Sequence, residues 1–392
     1  YDQEGELSDE ISVDARERVA TVRDAKLDND FGLFVKENGN PAAGIGVDVS
    51  PRGVNASGRA VNDPTWSPNG RYIAYTHMNA GQARVWLAGP DFSQPAVDIT
   101  GPAGRYGWFY IQWSPDSRYV YFRTSESSTG TLDLYRHDVS TGIGAVIIPG
   151  DGQKWVHNVR VTPDGKKIVY VADLDTDGVN ELWVANADGT SPVKRQAGDA
   201  ANMIANNGND FSLSPDGAKA MYRLLDVASG KNELVTVSLE GSSPPTLIGP
   251  PFDISVNAAH YSPDGTDIAF LGVAPSSFQK LYLYSSSGPV EISTQLSPAA
   301  NISAVDTMYW SPSGDEIAFR VQMPAPAPLT GTGYRYYRGA PTGLKTVVGG
   351  TTTAPAWPGA ASGAGAANTW PAMAAYSPSE SFFAMPADKE VD

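Results

Sequence analysis

Short hydrophobic segments of about four residues recur along the chain, and each one follows a short polar turn. Clear examples lie at residues 72–75, 119–122, 167–170, 267–270 and 316–319. A further apolar segment follows about ten residues later, as at residues 181–184, and a weaker one closes the unit, as at residues 145–148. Short apolar runs bounded by turn residues are typical of β-strands. The pattern therefore predicts repeated units of short antiparallel strands.

One turn phrase divides the chain into repeats. It consists of an aromatic or aliphatic residue, Ser or Thr, Pro, then Asp, Asn or Ser and usually Gly. The seven copies begin at Trp66, Trp113, Val161, Leu213, Tyr261, Trp310 and Tyr376. Their prolines are separated by 47, 48, 52, 48, 49 and 66 residues. Pro presets φ, Asp caps the backbone locally and Gly accepts positive φ, so the phrase predicts a tight turn between two strands.

Four short antiparallel strands in each repeat of about 48 residues are typical of a propeller blade. We therefore predict an all-β fold, a seven-bladed β-propeller of four-stranded antiparallel blades formed by residues 31–392 as a single domain. Residues 382–385 would supply a second strand of the last blade, and residues 33–35 and 45–49 a third and a fourth. Closure of the last blade by these N-terminal strands would remove exposed sheet edges. Six blades is the alternative, should the last copy of the phrase form no blade.

A family resemblance accompanies these repeats. The Ser-Pro-Asp-Gly turns, the strands of Ile-Ala-Phe type that follow them and the acidic segment 171–178 before Glu181 resemble TolB-type β-propeller repeats. The resemblance covers roughly residues 31–392. It implies a propeller fold and says little about function, because such blades occur in binding proteins and in accessory domains of enzymes.

Two segments depart from the repeat. Residues 1–30 carry ten acidic and four basic side chains, and we predict an acidic N-terminal arm, either extended or containing a short helix over residues 8–22. Residues 321–372 lengthen the sixth repeat and are rich in Pro, Ala, Gly and Thr. A segment of this composition cannot build its own core, so we expect a surface loop or an excursion that contacts a partner.

Charge and composition narrow the possible partners. The 28 Lys and Arg residues are outnumbered by 43 Asp and Glu residues, and the net charge of −15 disfavours nucleic acid and anionic membranes as partners. The apolar runs are too short to span a membrane. The sequence has no Cys and begins at Tyr1, from which we expect a removed leader and a periplasmic or extracellular location.

The sequence carries no familiar catalytic constellation. It has no Gly-x-Ser-x-Gly, no His-Glu-x-x-His, no P-loop and no dinucleotide-binding fingerprint. The four histidines fall in different repeats, away from metal-ligand spacing: His77, His137, His157 and His260. We therefore expect a protein that is not an enzyme.

One loop has the composition of a cation site. Asp173, Asp175 and Asp177 alternate before Gly178, and Glu181 follows. Carboxylates at alternate positions around a turn can converge on a hard cation such as Ca²⁺, as in the first half of an EF-hand loop. The match is partial, because the twelfth position of that loop requires Glu and is valine here. Two interpretations stay open, a calcium site and a solvated acidic hairpin tip, and no other cofactor is expected.

A second candidate site lies just before the turn phrases. Residues four and five places before each Ser or Thr of the phrase would lie on the innermost strand of a blade, at one mouth of the central channel. Polar residues recur there: Asn62, Asp63, His157, Asn158, Asn209, Asp210, Asn257 and Asp306, with Phe109 and Tyr110 in the second repeat. These residues either cap the strand entrance or bind a peptide or loop of a partner.

Two functions are compatible with these features. The first is a non-catalytic binding or scaffold protein, an exported accessory subunit that docks on a larger periplasmic or membrane-anchored complex. The composition and the TolB resemblance favour it. The second is an enzyme, a lyase or hydrolase that acts on a peptide or a carbohydrate at the channel mouth. It requires a cluster of His or carboxylate groups there, for which the sequence offers His157 and scattered acids.

Overall fold

The structure is a computed structural model. The residues that it describes are 8–13, 18–23, 32–37, 47–49, 61–79, 82–101, 106–126, 130–150, 155–175, 178–196, 202–204, 211–226, 228–241, 243–248, 255–273, 279–285, 288–293, 304–324, 332–339, 346–348, 375–376 and 383–384. The chain forms two compact units, residues 1–200 with 206–209 and residues 201–205 with 210–392. In the described segments, no helix has the length and hydrophobicity needed to cross a membrane.

The described part of the first unit forms four antiparallel sheets, in which neighbours along the chain are neighbours in the sheet. Sheet A contains β1 (Ser8–Val13), β2 (Arg18–Arg23), β3 (Gly32–Glu37) and β4 (Val47–Asp48). Sheet B contains β5 (Val61–Trp66), β6 (Ile73–Asn79), β7 (Gln82–Ala88) and β8 (Val97–Asp98). Sheet C contains β9 (Tyr106–Trp113), β10 (Tyr119–Ser125), β11 (Asp133–Asp138) and β12 (Ile143–Ile148). Sheet D contains β13 (Val156–Val161), β14 (Lys167–Ala172), β15 (Glu181–Asn186) and β16 (Val193–Gln196).

In sheets B, C, D, F and G the turn phrase connects the first two strands, as predicted, and in sheet E it connects β18 to β19. In sheet D, the buried Thr162 hydroxyl donates to Asp164 Oδ1 at 2.6 Å and accepts the backbone N–H of Lys167 at 3.0 Å. The N–H of Gly165 donates to the carbonyl of Thr162 at 2.8 Å, and the φ of this glycine is 70°. The same hydroxyl-to-Asp bond recurs at Ser114, Ser214 and Ser262. The phrase therefore closes a turn around a buried hydroxyl.

Hydrophobic clusters of the first unit join neighbouring sheets. Leu33 and Val35 of sheet A pack with Ile73 and Tyr75 of sheet B. Sheets B and C share a second cluster, and sheets C and D share a third. Trp113, the aromatic residue of the second turn phrase, donates its indole N–H to the carbonyl oxygen of a sheet B residue at 3.0 Å. These clusters fix each described sheet against the next one.

The second unit repeats this arrangement. Sheet E contains β17 (Asn202–Ile204), β18 (Ser212–Leu213), β19 (Lys219–Asp226), β20 (Lys231–Ser238) and β21 (Thr246–Leu247), and both β17 and β18 pair with β19. Sheet F contains β22 (Ser255–Tyr261), β23 (Ile268–Val273), β24 (Lys280–Ser285) and β25 (Gly288–Glu291). Sheet G contains β26 (Ala304–Trp310), β27 (Ile317–Pro324), β28 (Thr332–Gly339) and β29 (Thr346–Val348). The last described strands, β30 (Ala375–Tyr376) and β31 (Phe383–Ala384), pair with each other.

The predicted closure of the last repeat by N-terminal strands is wrong. Strand β3, which contains residues 33–35, lies between β2 and β4, so both of its edges are already paired. The first two strands of sheet A, predicted to come from the C-terminus, are β1 and β2 from the acidic N-terminal segment. Two alternatives were open for residues 8–22, an extended segment and a short helix. The helix is wrong, because β-branched residues of that segment favour the extended pairing that β1 and β2 make.

The excursion predicted at residues 321–372 is shorter than expected. Strands β28 and β29 lie inside it and complete sheet G by pairing with β27 and with each other. The aromatic and β-branched residues of β28 account for this, because they favour a pleated strand over a loop. Residues 349–372 lie outside the described residues.

Candidate functional site

Each described residue that was predicted to lie at the channel mouth is at or beside a β-bulge in the first strand of its sheet. In β13, His157 is an extra residue between Val156 and Asn158, which pair with consecutive residues of β14. In β9, residues 109–111 face the single residue Phe122 of β10. A bulge bends the strand and re-aims its side chains, and bulges are common beside active sites. The bulge therefore recurs at the same place in several sheets, which favours a functional role for this position.

The remaining predicted residues follow the same rule where the structure describes their backbone. The register of β5 shifts between Asn62, which pairs with Thr76, and Thr65, which pairs with Ala74; Asp63 follows Asn62 inside this shift. In the second unit, Asn257 and Asp306 are the extra residues of β22 and β26. Asn209 and Asp210 lie outside the described residues, between β17 and β18. The described side chains at these positions therefore belong to the first unit.

Tyr110 occupies the bulge of β9 with a φ of 75°. A non-glycine residue rarely adopts this conformation, and such residues concentrate at functional sites. The guanidinium of Arg123 lies over the Tyr110 ring, with 4.6 Å between Cζ and the ring centroid. Arg123 reaches this position because the β9–β10 register places it opposite Trp108, beside the bulge. Arg123 is 9% exposed, and Tyr110 is partly buried.

The imidazole of His157 lies near Arg123. Burial lowers the pKa of His157, the nearby Asp173 carboxylate opposes this shift, and the Arg123 guanidinium adds to it. A pKa below the usual value keeps the imidazole neutral at pH 7. The ring centroids of His157 and Trp155 are 6.2 Å apart, and Trp155 is 42% exposed. A neutral donor-acceptor ring thus lies beside an open indole face.

Asn158 orients a second guanidinium. Its buried amide oxygen accepts the backbone N–H of Val159 at 2.8 Å and Nη1 of Arg160 at 2.9 Å. The same Nη1 also lies 3.0 Å from the carbonyl oxygen of Val159. Burial lowers the pKa of Arg160, while the nearby Tyr110 hydroxyl raises it. The Asn158 amide oxygen therefore holds one nitrogen of Arg160 in place.

We call six described residues at and beside the bulges of β9 and β13 the first-strand cluster: Tyr110, Arg123, Trp155, His157, Asn158 and Arg160. They come from β9 and β10 of sheet C and from the first strand of sheet D with the residue before it. The cluster offers two guanidinium groups, an imidazole, an amide and two aromatic rings. These groups suit hydrogen bonding and stacking with a polar ligand.

The described carboxylates of the acidic loop contact other groups of the protein. The carboxylate of Asp173 accepts the backbone N–H of Trp155, and of Gly178 at 3.4 Å. Lys194 contacts the carboxylate of Asp175 and lies 3.4 Å from Glu181, whose side chain is 1% exposed. Asp177 lies outside the described residues. The ammonium of Lys194 therefore lies between two of the carboxylates predicted to hold calcium, and the described residues contain no group of three or more acids or histidines arranged around a metal position.

The cationic residues of the first-strand cluster and of the acidic loop were not predicted from the sequence. Arg123 follows the aromatic residue of the second strand, and Arg223 follows the equivalent aromatic in the second unit. Like Arg123, Arg223 is buried, and it donates to the carbonyl oxygen of Val256 in the next sheet at 3.2 Å. Aligning the second strands of the repeats would have revealed this shared position. Lys194 carries no comparable signal, because only the pairing of β15 with β16 brings it to Glu181.

Comparison with known proteins supports a propeller. The profile of the prolyl oligopeptidase N-terminal β-propeller domain matches residues 57–243. No curated protein matches the sequence. The apo structure of prolyl oligopeptidase B from Galerina marginata is similar with a TM-score of 0.57 and 15% identity, over 86% of this chain and 49% of that chain. An oligogalacturonate lyase from Vibrio parahaemolyticus is similar with a TM-score of 0.52 and 12% identity, over 80% of this chain and 86% of that chain.

A putative TolB from Agrobacterium tumefaciens reaches a TM-score of 0.42 with 17% identity, over 61% of this chain and 82% of that chain. This TM-score is too low to show a common fold. The TolB-type assignment therefore stays a prediction. This chain spans about half the length of the prolyl oligopeptidase that it matches. At such identities the similarities establish the fold alone. With the antiparallel sheets, they identify the protein as an all-β propeller.

Proposed function

We propose that this protein is a non-catalytic binding propeller whose partner docks at the first-strand cluster. Two contacts support it: the guanidinium of Arg123 lies over the Tyr110 ring in sheet C, and the Asn158 amide oxygen accepts a hydrogen bond from Arg160 in sheet D. We also propose seven blades, one for each described sheet of four or five strands.

The chemistry of the cluster favours binding. Its groups are donors, acceptors and aromatic faces, and Asn158 and the Tyr110 bulge hold them in place. Groups fixed before association lose little conformational freedom on binding, which favours affinity. Aromatic residues and arginine are also the residue types enriched at protein interfaces. A partner loop or peptide inserted here would find a rigid polar site with the exposed Trp155 at its edge.

The proposed setting is an accessory role on a larger periplasmic or membrane-anchored complex. The acidic balance of the chain argues against docking on nucleic acid or on an anionic lipid surface. The absence of Cys is compatible with an oxidising compartment. No cofactor is required for this role.

The proposal is tested by affinity capture from an extract of the source organism. Tagged wild-type protein and an Arg160→Gln variant are compared by quantitative mass spectrometry of the proteins that co-purify. We expect a defined set of envelope proteins with the wild type and at least a tenfold loss with the variant. Arg118→Gln is the matched control, because Arg118 is an exposed arginine that pairs with Asp138 away from the cluster. Equal capture by all three proteins would contradict the proposal.

The Pro/Ala/Gly/Thr-rich segment is tested in the same assay. Residues 351–368 contain no described element, and we propose that they add contacts to the docked partner. Their deletion should leave the melting temperature unchanged and reduce the yield of co-purified partner. An unchanged yield would remove this segment from the proposed interface.

A second candidate function is catalysis at the cluster, by a lyase or hydrolase acting on a carbohydrate or a peptide. It is favoured by the position of a neutral imidazole, His157, near both the Asp173 carboxylate and the Arg123 guanidinium. The fold similarity to an oligogalacturonate lyase is compatible with it. Incubation with oligogalacturonate and with proline-containing peptides tests it. Turnover that disappears in His157→Ala would favour the enzyme over the scaffold.

Calcium at Asp173, Asp175, Asp177 and Glu181 remains a proposal with its own test. A ligand that binds only the native state stabilises it by mass action. If calcium binds, a chelator should lower the melting temperature, and Asp175→Asn should remove that response. Identical melts in calcium and in chelator would contradict the calcium proposal and leave Lys194 as a counterion of Asp175 and Glu181.

A further inference from the structure

The turn phrase of sheet B contains an asparagine with its own chemistry. Asn69 follows the proline of this phrase and precedes Gly70, whereas four other copies have aspartate in that place: Asp116, Asp164, Asp216 and Asp264. Asparagine before glycine is the pair most prone to deamidation, because glycine has no side chain to obstruct attack by its backbone nitrogen. We infer that Asn69 is a modification site, which deamidates when this turn opens and yields an aspartate that the closed turn accepts.

The reaction consumes only water. The backbone nitrogen of Gly70 loses its proton and attacks Cγ of Asn69, and the side-chain nitrogen leaves as ammonia. The product is a five-membered succinimide ring. Water then breaks one of the two bonds between the ring nitrogen and its carbonyl carbons. One choice gives aspartate, and the other gives isoaspartate, in which the backbone runs through the former side chain.

The closed turn opposes this attack. The N–H of Gly70 donates to the carbonyl oxygen of Ser67 at 2.7 Å, so the attacking nitrogen is hydrogen-bonded. The Asn69 amide oxygen accepts the Ser67 hydroxyl at 2.8 Å and the N–H of Arg71 at 2.9 Å, which holds the side chain toward these donors. Ser67 and Gly70 are buried, although Asn69 is exposed. The rate of deamidation in the native protein should therefore follow the population of the open turn.

The closed turn offers an aspartate the contacts that it needs. In sheet D, Asp164 Oδ1 accepts the Thr162 hydroxyl at 2.6 Å and the N–H of Lys166 at 3.0 Å. The Asn69 amide oxygen accepts hydrogen bonds from the two equivalent donors of its own turn. A carboxylate at position 69 can therefore replace the amide without loss of either bond. Because this side chain is exposed, water hydrates the new charge.

Isoaspartate should have the opposite effect on stability. It adds a backbone carbon between Ser67 and Gly70, the two residues that the closing hydrogen bond joins. The N–H of Asn69 also donates to the Ser117 hydroxyl of the next turn phrase at 2.9 Å, so a shift of this backbone disturbs a contact between sheets B and C. We therefore expect the aspartate form to keep the melting temperature of the unmodified protein and the isoaspartate form to melt at a lower temperature.

Peptide mapping by mass spectrometry measures the reaction in the full chain at pH 8. Native protein and protein unfolded in urea are sampled over the same time course, and electron-transfer fragmentation distinguishes aspartate from isoaspartate at position 69. We expect conversion in both samples, about 10- to 100-fold more slowly in the native protein, because only the open turn reacts. Equal rates would overturn the inference. So would native protein that stays unconverted after the unfolded chain has reacted completely.

Two hydroxyl deletions assign the protection to this turn. Ser67→Ala removes one donor to the Asn69 amide oxygen and should raise the native rate by about 2- to 10-fold, because the closed turn loses a hydrogen bond. Ser214→Ala is the matched control, since the Ser214 hydroxyl makes the same bond to Asp216 in sheet E. It should leave the rate at Asn69 unchanged. An unchanged rate in Ser67→Ala, or an equal rise in both variants, would contradict the role of the turn.

Direct substitution tests whether the turn accepts the product, and it does not depend on the folding of the serine variants. Asn69→Asp should melt within about 2 °C of the wild type, a shift that corresponds to less than about 1 kcal/mol. Asn69→Leu is the control, because leucine has a similar size and accepts neither hydrogen bond, and it should melt at a lower temperature. If Asn69→Asp melts as low as Asn69→Leu, the turn rejects the aspartate and the inference fails.

Discussion

Tyr75 and Tyr170 offer a test of the packing in the first unit. Each follows the Ser or Thr of its turn phrase by eight residues, and both are completely buried. The Tyr75 hydroxyl donates to the carbonyl oxygen of Val49 at 3.1 Å. Among the described residues, the Tyr170 hydroxyl has no hydrogen-bond partner. The equivalent residue of sheet C is Phe122, so the packing at this position accepts an aromatic ring without a hydroxyl.

Replacing each tyrosine by phenylalanine should therefore have opposite consequences. Tyr75→Phe leaves the Val49 carbonyl without this partner and should lower the free energy of unfolding by about 1–2 kcal/mol. Tyr170→Phe removes a buried hydroxyl that gains no hydrogen bond, so stability should stay the same or rise by up to about 1 kcal/mol. For a unit of this size, 1 kcal/mol corresponds to about 2–4 °C in melting temperature. The two variants should differ by several degrees.

Thermal unfolding followed by circular dichroism at one pH and one scan rate measures the difference. Urea unfolding provides the check that both variants keep the slope of the wild type, so that a shift in midpoint reports stability. A loss of stability in Tyr170→Phe equal to that in Tyr75→Phe would refute the reasoning. It would mean that the hydroxyl of Tyr170 makes a hydrogen bond in solution.

Three further predictions follow from named contacts. Leu33→Ala should lower the free energy of unfolding by about 2–5 kcal/mol, because this buried side chain packs between sheets A and B. Val97→Ala, at a residue 58% exposed, is the control and should change the free energy of unfolding by less than about 0.5 kcal/mol. Urea unfolding would measure both. Lys194→Met should lower it by about 1–3 kcal/mol, because the buried Glu181 loses its ammonium partner, and Lys194→Arg is the control that should recover most of the loss. The turn-phrase aspartates have pKa values lowered from 3.8 by a hydroxyl donor first and a backbone N–H second. Their contribution to stability is complete above about pH 4 and is lost as the pH falls through the lowered pKa values. Below pH 4 the melting temperature should therefore fall less steeply with pH than in the wild type when all three aspartates are replaced by Asn: Asp164, Asp216 and Asp264.

The repeat was predictable because its turn is encoded locally. Thr162, Pro163, Asp164 and Gly165 lie next to one another, and the bonds that close the turn run between residues at most five apart. Sequence alone therefore identified both the turn and the strands beside it. Sheet A was misjudged for the opposite reason, since no turn phrase precedes β1 or β2 and only pairing with β3 shows that they are strands.

The site was predictable in part for the same reason. His157 and Asn158 stand at a fixed distance before the turn phrase, so their shared position could be identified. The bulge that makes His157 an extra residue of β13 could not. Arg123 was missed because it lies on the second strand, and the register of β9 with β10 decides that it meets Tyr110. Contacts between strands of different repeats depend on packing, which the local sequence does not encode.

The central claim, that a partner docks at the first-strand cluster, is tested most directly by site-specific photocrosslinking. A benzophenone amino acid replaces Trp155 in one variant and Ile143 in another. Ile143 is the control, because it is 70% exposed on β12, the outer strand of sheet C. Both proteins are irradiated in an extract of the source organism. The account predicts a discrete crosslinked partner from position 155 and none from position 143. The same partner crosslinked from position 143 and not from position 155 would contradict it.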